Sequence, residues 1–147
     1  MQTLIHRWLL LIGAGHVLLG LGLTLPGALP LMEPYFQGLY ASTGEALPSP
    51  AQQALIQTLA QLLGPTVASW GLFYCLLLTL YRRHGERWIK AGLYLGLLLW
   101  WGPDCWVSAR AGLYSHLYLN TAVALAIGVP LALLRPLAPR AAPPVRG

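Results

Sequence analysis

Charged side chains are scarce in this sequence. Its 147 residues include nine Lys or Arg and four Asp or Glu, and these charged residues together make 9% of the chain. Soluble domains carry roughly 25% charged residues, so this chain cannot cover a globular surface with polar groups. Hydrophobic residues make 56% of the chain, and the mean hydropathy is +0.59. The composition therefore excludes a soluble domain and predicts an integral membrane protein.

The few charges that are present are mostly positive, with a formal net charge of +5. A basic chain binds nucleic acid when its cations share one face. Here the Lys and Arg residues cluster instead at the ends of apolar runs. We therefore expect membrane lipids as partners and no nucleic acid.

Cysteine and histidine are too few and too scattered for most redox and metal chemistry. The two cysteines, Cys75 and Cys105, form no CxxC pair and have no Cys/His spacing typical of zinc or an iron–sulfur cluster. Only His16 and His116 are expected to lie inside the membrane, and the helical rise places them at depths that differ by roughly 14 Å. That mismatch excludes a haem held by both histidines. We predict no cofactor and no metal site.

Four apolar runs are long enough to cross a bilayer as helices. They cover residues 5–25, 54–81, 88–108 and 113–134. The first run is longer than the apolar core of a signal peptide and lacks a clean small-residue cleavage site, so we expect a retained helix. The outer loop at 26–53 contains Tyr35, Phe36 and Tyr40, which are typical of a short helix with aromatic side chains at headgroup level.

The basic residues predict the orientation of these helices. One side carries Arg7, Arg82, Arg83, Arg87, Lys90, Arg135, Arg140 and Arg146. The other side carries Arg110. Because short cytoplasmic segments are enriched in Lys and Arg, both termini are expected in the cytoplasm. The sequence thus predicts an all-α integral membrane protein at 1–134, an antiparallel bundle of four transmembrane helices, followed by a disordered, proline-rich tail at 135–147.

The junction of the third and fourth runs is unusually polar for an apolar sequence. A very short turn at residues 111–112 would fold the chain back, so that Asp104 lies level with Asn120 and Ser108 lies level with His116. Residues four apart on a helix share one face, so all four side chains belong to a single interface. We predict a hydrogen bond between Asp104 and Asn120, and a contact between His116 and Ser108.

Two interpretations of these polar residues are open. Polar side chains often join membrane helices by hydrogen bonds worth on the order of 1 kcal/mol each. This structural role suits Ser108 and the two glutamines of the second run, Gln57 and Gln61. A carboxylate such as Asp104 costs more to place in a bilayer and indicates a functional site. The candidate ligand-binding residues are Asp104, His116, Asn120, Gln61, Ser108 and Trp101. No catalytic residue is assigned.

The chain resembles the small bacterial four-helix inner-membrane proteins of the DoxX-like type. The shared features are the GAGHVLLGLGL segment of the first helix, a proline-containing outer loop and a hairpin of the third and fourth helices. This resemblance implies a four-helix protein of a bacterial inner membrane and gives no residue a role. A more distant resemblance is to the eukaryotic sterol-isomerase type of four-helix domain, whose catalytic pattern has more than one glutamate. Asp104 is the single acidic residue of the four runs, so an isomerase gains little support.

We expect a non-enzymatic, multi-pass inner-membrane protein that is an accessory subunit or binds a lipophilic small molecule in an outward-facing polar pocket. One alternative is a small membrane enzyme in which Asp104 and His116 act as an acid/base pair on a lipid or isoprenoid. Another is a small oligomeric transporter, for which a polar path from Asp104 to His16 would be evidence. The sequence is compatible with a homo-oligomer and also with a membrane complex that contains another protein as partner.

Overall fold

The computed structural model describes residues 1–25, 30, 33–42 and 49–137, with residues 35, 39, 41 and 42 described by their backbone alone. The described residues form helices and no strand. The helices are α1 (Gln2–Thr24), α2 (Glu33–Ser42), α3 (Pro50–His84), α4 (Arg87–Arg110) and α5 (Tyr114–Leu133). Among them α1, α3 and α5 are long and apolar enough to cross a membrane. The fold is therefore all-helical, with three candidate membrane spans.

The outer surface of the long helices is apolar. Leu18, Leu62 and Leu125 lie on the three candidate spans α1, α3 and α5, and each exposes more than half of its surface. In water such surfaces would associate, whereas in a bilayer they face hydrocarbon chains at no cost. The exposed leucines therefore agree with the membrane spans.

The helix α3 begins earlier than hydropathy predicts, at Pro50 instead of residue 54. Ser49 and Gln52 cap its first turn reciprocally. The Gln52 backbone N–H donates to Ser49 Oγ at 3.3 Å, and the Ser49 backbone N–H donates to Gln52 Oε1 at 2.6 Å. Pro50 occupies the first turn, where its missing N–H removes no intrahelical bond. This polar cap starts a helix that an apolar run cannot reveal.

The predicted outer loop contains α2, the short helix expected there, and this helix packs against α3. Phe36 and Tyr40 are buried and pack against Ile56 and Ala60 of α3. Both pairs are spaced i, i+4, so one face of each helix meets the other. The described aromatic side chains of α2 therefore cover α3, and their predicted depth at the headgroups stays a prediction. The side chain of Tyr35 lies outside the described residues.

Glycines allow α1 and α3 to approach each other closely. A methyl group at Gly20 would collide with the backbone of Gly64 and Ala68, and one at Gly71 would collide with the backbone of Gly13. Small residues at a crossing bring two helix backbones into van der Waals contact, which drives helix association in lipid. The closest helix pair in the described chain is accordingly α1 with α3, while α4 packs mainly against α5.

The main hydrophobic core joins both helix pairs near one end of the long helices. Its buried members are Leu9, Tyr74, Leu78, Tyr81, Ile89, Leu93, Leu97, Ile127, Leu131 and Leu134. These residues come from the first halves of α1 and α4 and from the second halves of α3 and α5, with Leu134 directly after α5. In antiparallel helices those halves lie at the same end, so this end is the better packed one.

The first residues of the predicted disordered tail have defined contacts. The Leu137 backbone N–H donates to the Arg82 carbonyl at 2.8 Å, and a Cβ at Gly85 would contact the Pro136 ring. Gly85 itself ends α3 with φ at 73°, a left-handed conformation that favours glycine. Residues 138–147, the remainder of the predicted tail, lie outside the described residues.

Candidate functional site

The turn between α4 and α5 positions the polar residues of the two helices. Residues 111–113 reverse the chain, with Gly112 at φ 70°. Glycine adopts this left-handed conformation without a steric penalty. The Leu113 N–H donates to the Ser108 carbonyl at 2.9 Å and the Ala111 N–H to the Val107 carbonyl at 3.0 Å. The predicted position of the turn is confirmed.

The two polar layers predicted from the sequence are present. The side-chain amide of Asn120 donates to Oδ2 of Asp104 at 2.8 Å. Ser108 Oγ lies 2.9 Å from Nδ1 of His116, a hydrogen bond whose direction depends on the histidine tautomer. Both predicted pairings are confirmed.

The layers contact each other and form one cluster, called the Asp104 cluster below: Asp104, Ser108, His116 and Asn120. Nδ1 of His116 lies 3.8 Å from Oδ1 of Asp104. Nε2 of His116 lies 3.5 Å from the side-chain amide of Asn120. Four polar side chains from two helices thus share a continuous set of polar contacts within an otherwise apolar hairpin.

Burial divides the cluster into two inner and two outer members. Ser108 is 1% exposed and Asn120 is 6% exposed, so both lie inside the interface between α4 and α5. The side chains of His116 and Asp104 are 21% and 28% exposed, respectively. The buried amide and hydroxyl therefore hold two titratable groups at the edge of the hairpin, where another molecule can reach them.

This arrangement differs from that of a catalytic triad. In a triad, the serine and the carboxylate bond to opposite nitrogens of the imidazole. Here Ser108 Oγ and Asp104 Oδ1 both face Nδ1 of His116, at 2.9 and 3.8 Å. Ser108 is also buried, so its hydroxyl cannot meet a substrate from outside. The geometry suits a carboxylate and an imidazole that bind a polar group or exchange a proton.

Trp101 has a bonding partner beside the cluster that sequence reasoning missed. Its indole Nε1 donates to Thr121 Oγ1 at 3.2 Å, and Thr121 Oγ1 donates in turn to the Leu117 carbonyl at 2.9 Å. The Cys105 sulfur lies 3.8 Å from the same hydroxyl. The sequence did contain a sign of this contact. Thr121 directly follows Asn120, and the antiparallel pairing of α4 with α5 brings this part of α5 close to Trp101 and Asp104. Trp101 therefore braces the hairpin from a neighbouring position.

Gln61 does not join the Asp104 cluster directly. It is half-buried on α3, and within the described part of the chain it has no hydrogen bond to any residue of the cluster. The glycine crossing draws α3 towards α1, and α3 makes a smaller contact with α4. A ligand between the two helix pairs would be needed to bring Gln61 into the site.

Aromatic residues separate the cluster from His16. The Trp70 ring centroid lies 4.8 Å from that of His16 and 6.2 Å from that of Trp100, and Trp100 lies about one helical turn before Asp104. Nδ1 of His16 bonds to the Ile12 carbonyl at 2.8 Å. The described residues between Asp104 and His16 are thus largely apolar, which does not favour a polar path between them.

Arg110 is a possible ion-pair partner for Asp104 by sequence proximity, but it contacts another side chain. Its guanidinium carbon lies 5.0 Å from the ring centroid of Trp106, a distance typical of a cation–π contact. Among the described residues, the acidic partner of His116 is Asp104. The carboxylate is therefore paired with an imidazole and an amide instead of with a permanent cation.

Comparison of the sequence with protein-family models gives no match, and neither does comparison with curated proteins or with solved structures.

Proposed function

We propose that this chain is a multi-pass protein of the bacterial inner membrane, with α4 as a fourth transmembrane helix and both termini in the cytoplasm. α4 has 24 residues, about 36 Å of helix, whereas a hydrocarbon core is about 30 Å thick. Arg87 and Arg110 lower its hydropathy but lie at its two ends, where long basic side chains reach the headgroups. The uneven distribution of basic residues supports the orientation, and the DoxX-like resemblance supports the location.

Within this arrangement, the Asp104 cluster is a binding site for a lipophilic small molecule that carries a polar group. The observation behind this proposal is that Asp104 accepts a hydrogen bond from Asn120 yet keeps 28% of its side chain exposed. A carboxylate with a purely structural role in a bilayer is expected to be buried with its acceptors satisfied. The exposed part of Asp104 can therefore meet the polar group of a ligand, whose apolar part lies among lipid-facing side chains.

The other site residues divide between contact and support. His116 is exposed beside Asp104 and is the second group that a ligand can touch. Asn120 and Ser108 are buried and hold these two groups in place through the hydrogen bonds at 2.8 and 2.9 Å. Trp101 fixes the spacing of α4 and α5 through Thr121.

A second candidate function is acid/base catalysis on a lipid or isoprenoid. The observation that favours it is the 3.8 Å separation of Asp104 Oδ1 and His116 Nδ1, since two adjacent titratable groups can act as acid and base. Binding and catalysis differ in one measurable respect, because catalysis changes the bound molecule chemically.

The test is Asp104→Asn, which keeps the shape of the side chain and an oxygen that can accept from Asn120 but removes the charge. The wild type and the variant are purified with their native lipids, and bound molecules are identified by mass spectrometry. We expect the variant to lose a lipophilic molecule that the wild type retains, with a Tm that is unchanged or higher. A molecule that is altered by the wild type and intact on the variant would favour the enzyme.

Tyr94→Phe is the matched control, because it removes a hydrogen bond between the same two helices, from the Tyr94 hydroxyl to the Gly128 carbonyl at 2.9 Å, without touching the Asp104 cluster or Trp101. This control should retain the molecule. Retention by Asp104→Asn as well would contradict the binding site. A large loss of stability in Asp104→Asn, with no molecule bound to either form, would make the cluster a structural element of the hairpin.

A further inference from the structure

A basic patch occupies the end of the helices opposite the Asp104 cluster. We define it by the described residues Arg7, Arg82, Arg83, Arg87, Lys90 and Arg135. The turn between α3 and α4 adds one carboxylate, Glu86. Six cations against one anion give this end a more positive potential than the described opposite end, which holds Asp104 and Arg110.

Hydrogen bonds tie three chain segments together at the patch. The Arg82 guanidinium donates to the Arg135 carbonyl, and the Leu137 N–H donates back to the Arg82 carbonyl at 2.8 Å. The Arg135 N–H donates to Gln2 Oε1 at 2.8 Å, and Gln2 Nε2 donates to the Leu133 carbonyl at 3.0 Å. Arg82 and Arg135 are therefore held together at the end of the helices where α1 begins and where α3 and α5 end.

Lys90 supports the patch from inside. Its Nζ donates to the carbonyls of Ala132 and Leu134 at 3.0 and 3.2 Å, and it lies 5.4 Å from the Tyr81 ring centroid. These carbonyls belong to the end of α5, where the helix dipole favours a cation. Lys90 is thus partnered within the protein.

Three arginines of the patch differ from Lys90 in this respect. Arg7, Arg83 and Arg87 are exposed, and within the described residues none of them has a hydrogen bond, a ring contact or an ion pair. A guanidinium presents a planar fork that matches the oxygens of a phosphate group. Trp88, next to Arg87, is 67% exposed, as is typical of a side chain at the level of lipid headgroups.

We propose that the basic patch binds the headgroup of an anionic phospholipid. Arg83 and Arg87 bind the phosphate from either side of the short turn between α3 and α4, and Arg7 adds a third cation from α1. Trp88 and the exposed leucines of the long helices lie against the acyl chains. This site is independent of the Asp104 cluster, because it lies at the other end of the helices and uses different residues.

The experiment is a lipid titration of the delipidated full-length protein in detergent, followed by native mass spectrometry. Phosphatidylglycerol and phosphatidylcholine are compared, since both carry a phosphate but only the first is anionic. We expect tighter binding of phosphatidylglycerol, weakened by added salt. In Arg83→Gln/Arg87→Gln this binding should fall by about 5-fold for each cation removed, with phosphatidylcholine binding unchanged.

Two further variants separate charge from folding. Arg83→Lys/Arg87→Lys keeps both charges and should bind phosphatidylglycerol much more tightly than the glutamine variant does. Arg110→Gln removes a cation at the opposite end, beside Trp106, and should bind as the wild type does. Equal binding of the two lipids by the wild type would overturn the proposal, as would undiminished phosphatidylglycerol binding by the double glutamine variant.

If Arg110→Gln lost as much phosphatidylglycerol affinity as the double glutamine variant, the proposed site would also be overturned. Such a result would mean that the net charge of the protein, and not the position of the arginines, determines binding. Asp104→Asn should bind phosphatidylglycerol normally. The experiments can therefore contradict the proposed lipid site and the proposed Asp104 binding site independently of each other.

Discussion

Asn120 and Asp104 are joined by a 2.8 Å hydrogen bond between α5 and α4. The bond places an amide donor on a carboxylate that would otherwise be costly to bury between two helices. Asn120 is almost fully buried while Asp104 is partly exposed, so the two residues have different roles. Asn120 fixes the carboxylate, and Asp104 keeps part of its side chain exposed at the edge of the hairpin.

Asn120→Ala should lower the free energy of unfolding by about 1–2 kcal/mol, because it leaves the Asp104 carboxylate without its donor. Reversible unfolding in mixed micelles measures this cost. In a double-mutant cycle with Asp104→Ala, the two costs should be less than additive, since each single change removes the same bond. Additive costs would show that the two side chains do not stabilise each other.

Gly20→Leu should separate α1 from α3 and destabilise the protein by about 3 kcal/mol or more, because a side chain has no room against the Gly64 and Ala68 backbone. Gly22→Leu is the matched control two residues later, where a Cβ meets nothing within 4 Å. Thermal unfolding of the two variants in detergent measures the difference. Equal stability would be inconsistent with the close glycine crossing.

Tyr74→Phe should leave stability unchanged or raise it. The Tyr74 hydroxyl is buried and has no hydrogen-bond partner among the described residues, so removing it also removes a desolvation cost of about 1 kcal/mol or more. Tyr94→Phe should instead cost about 1 kcal/mol, because the Tyr94 hydroxyl donates to the Gly128 carbonyl at 2.9 Å. Denaturant titration of both variants tests the contrast. A similar loss in both would mean that Tyr74 has a bonding partner such as water.

Reporter fusions should show the C-terminus in the cytoplasm. Green fluorescent protein fused there should fluoresce and alkaline phosphatase should be inactive, because the basic residues favour the cytoplasmic side. The opposite pattern is expected for fusions after Gly112 in the turn between α4 and α5. Phosphatase activity at the C-terminus would contradict either the orientation or the fourth span.

The register of the Asp104 cluster could be predicted from the sequence because it depends on local chain geometry. Gly112 lies midway between Asp104 and Asn120, and likewise midway between Ser108 and His116. Two antiparallel helices that reverse at that glycine place residues equally far from it at the same depth. Helix content follows similarly from apolar runs of sufficient length, although the polar cap at the start of α3 lies outside such a run.

Contacts between distant segments were decided by the tertiary structure. Hydropathy shows that Phe36 and Tyr40 are apolar but not that Ile56 and Ala60 cover them, because a periodic pattern describes a face and not its partner. Gln61 is a second example, because its polar side chain predicted a place in the pocket but could not show which helix it would face. Its position depends on how α3 crosses α1, and the close backbone contact at Gly20 and Gly64 determines that crossing.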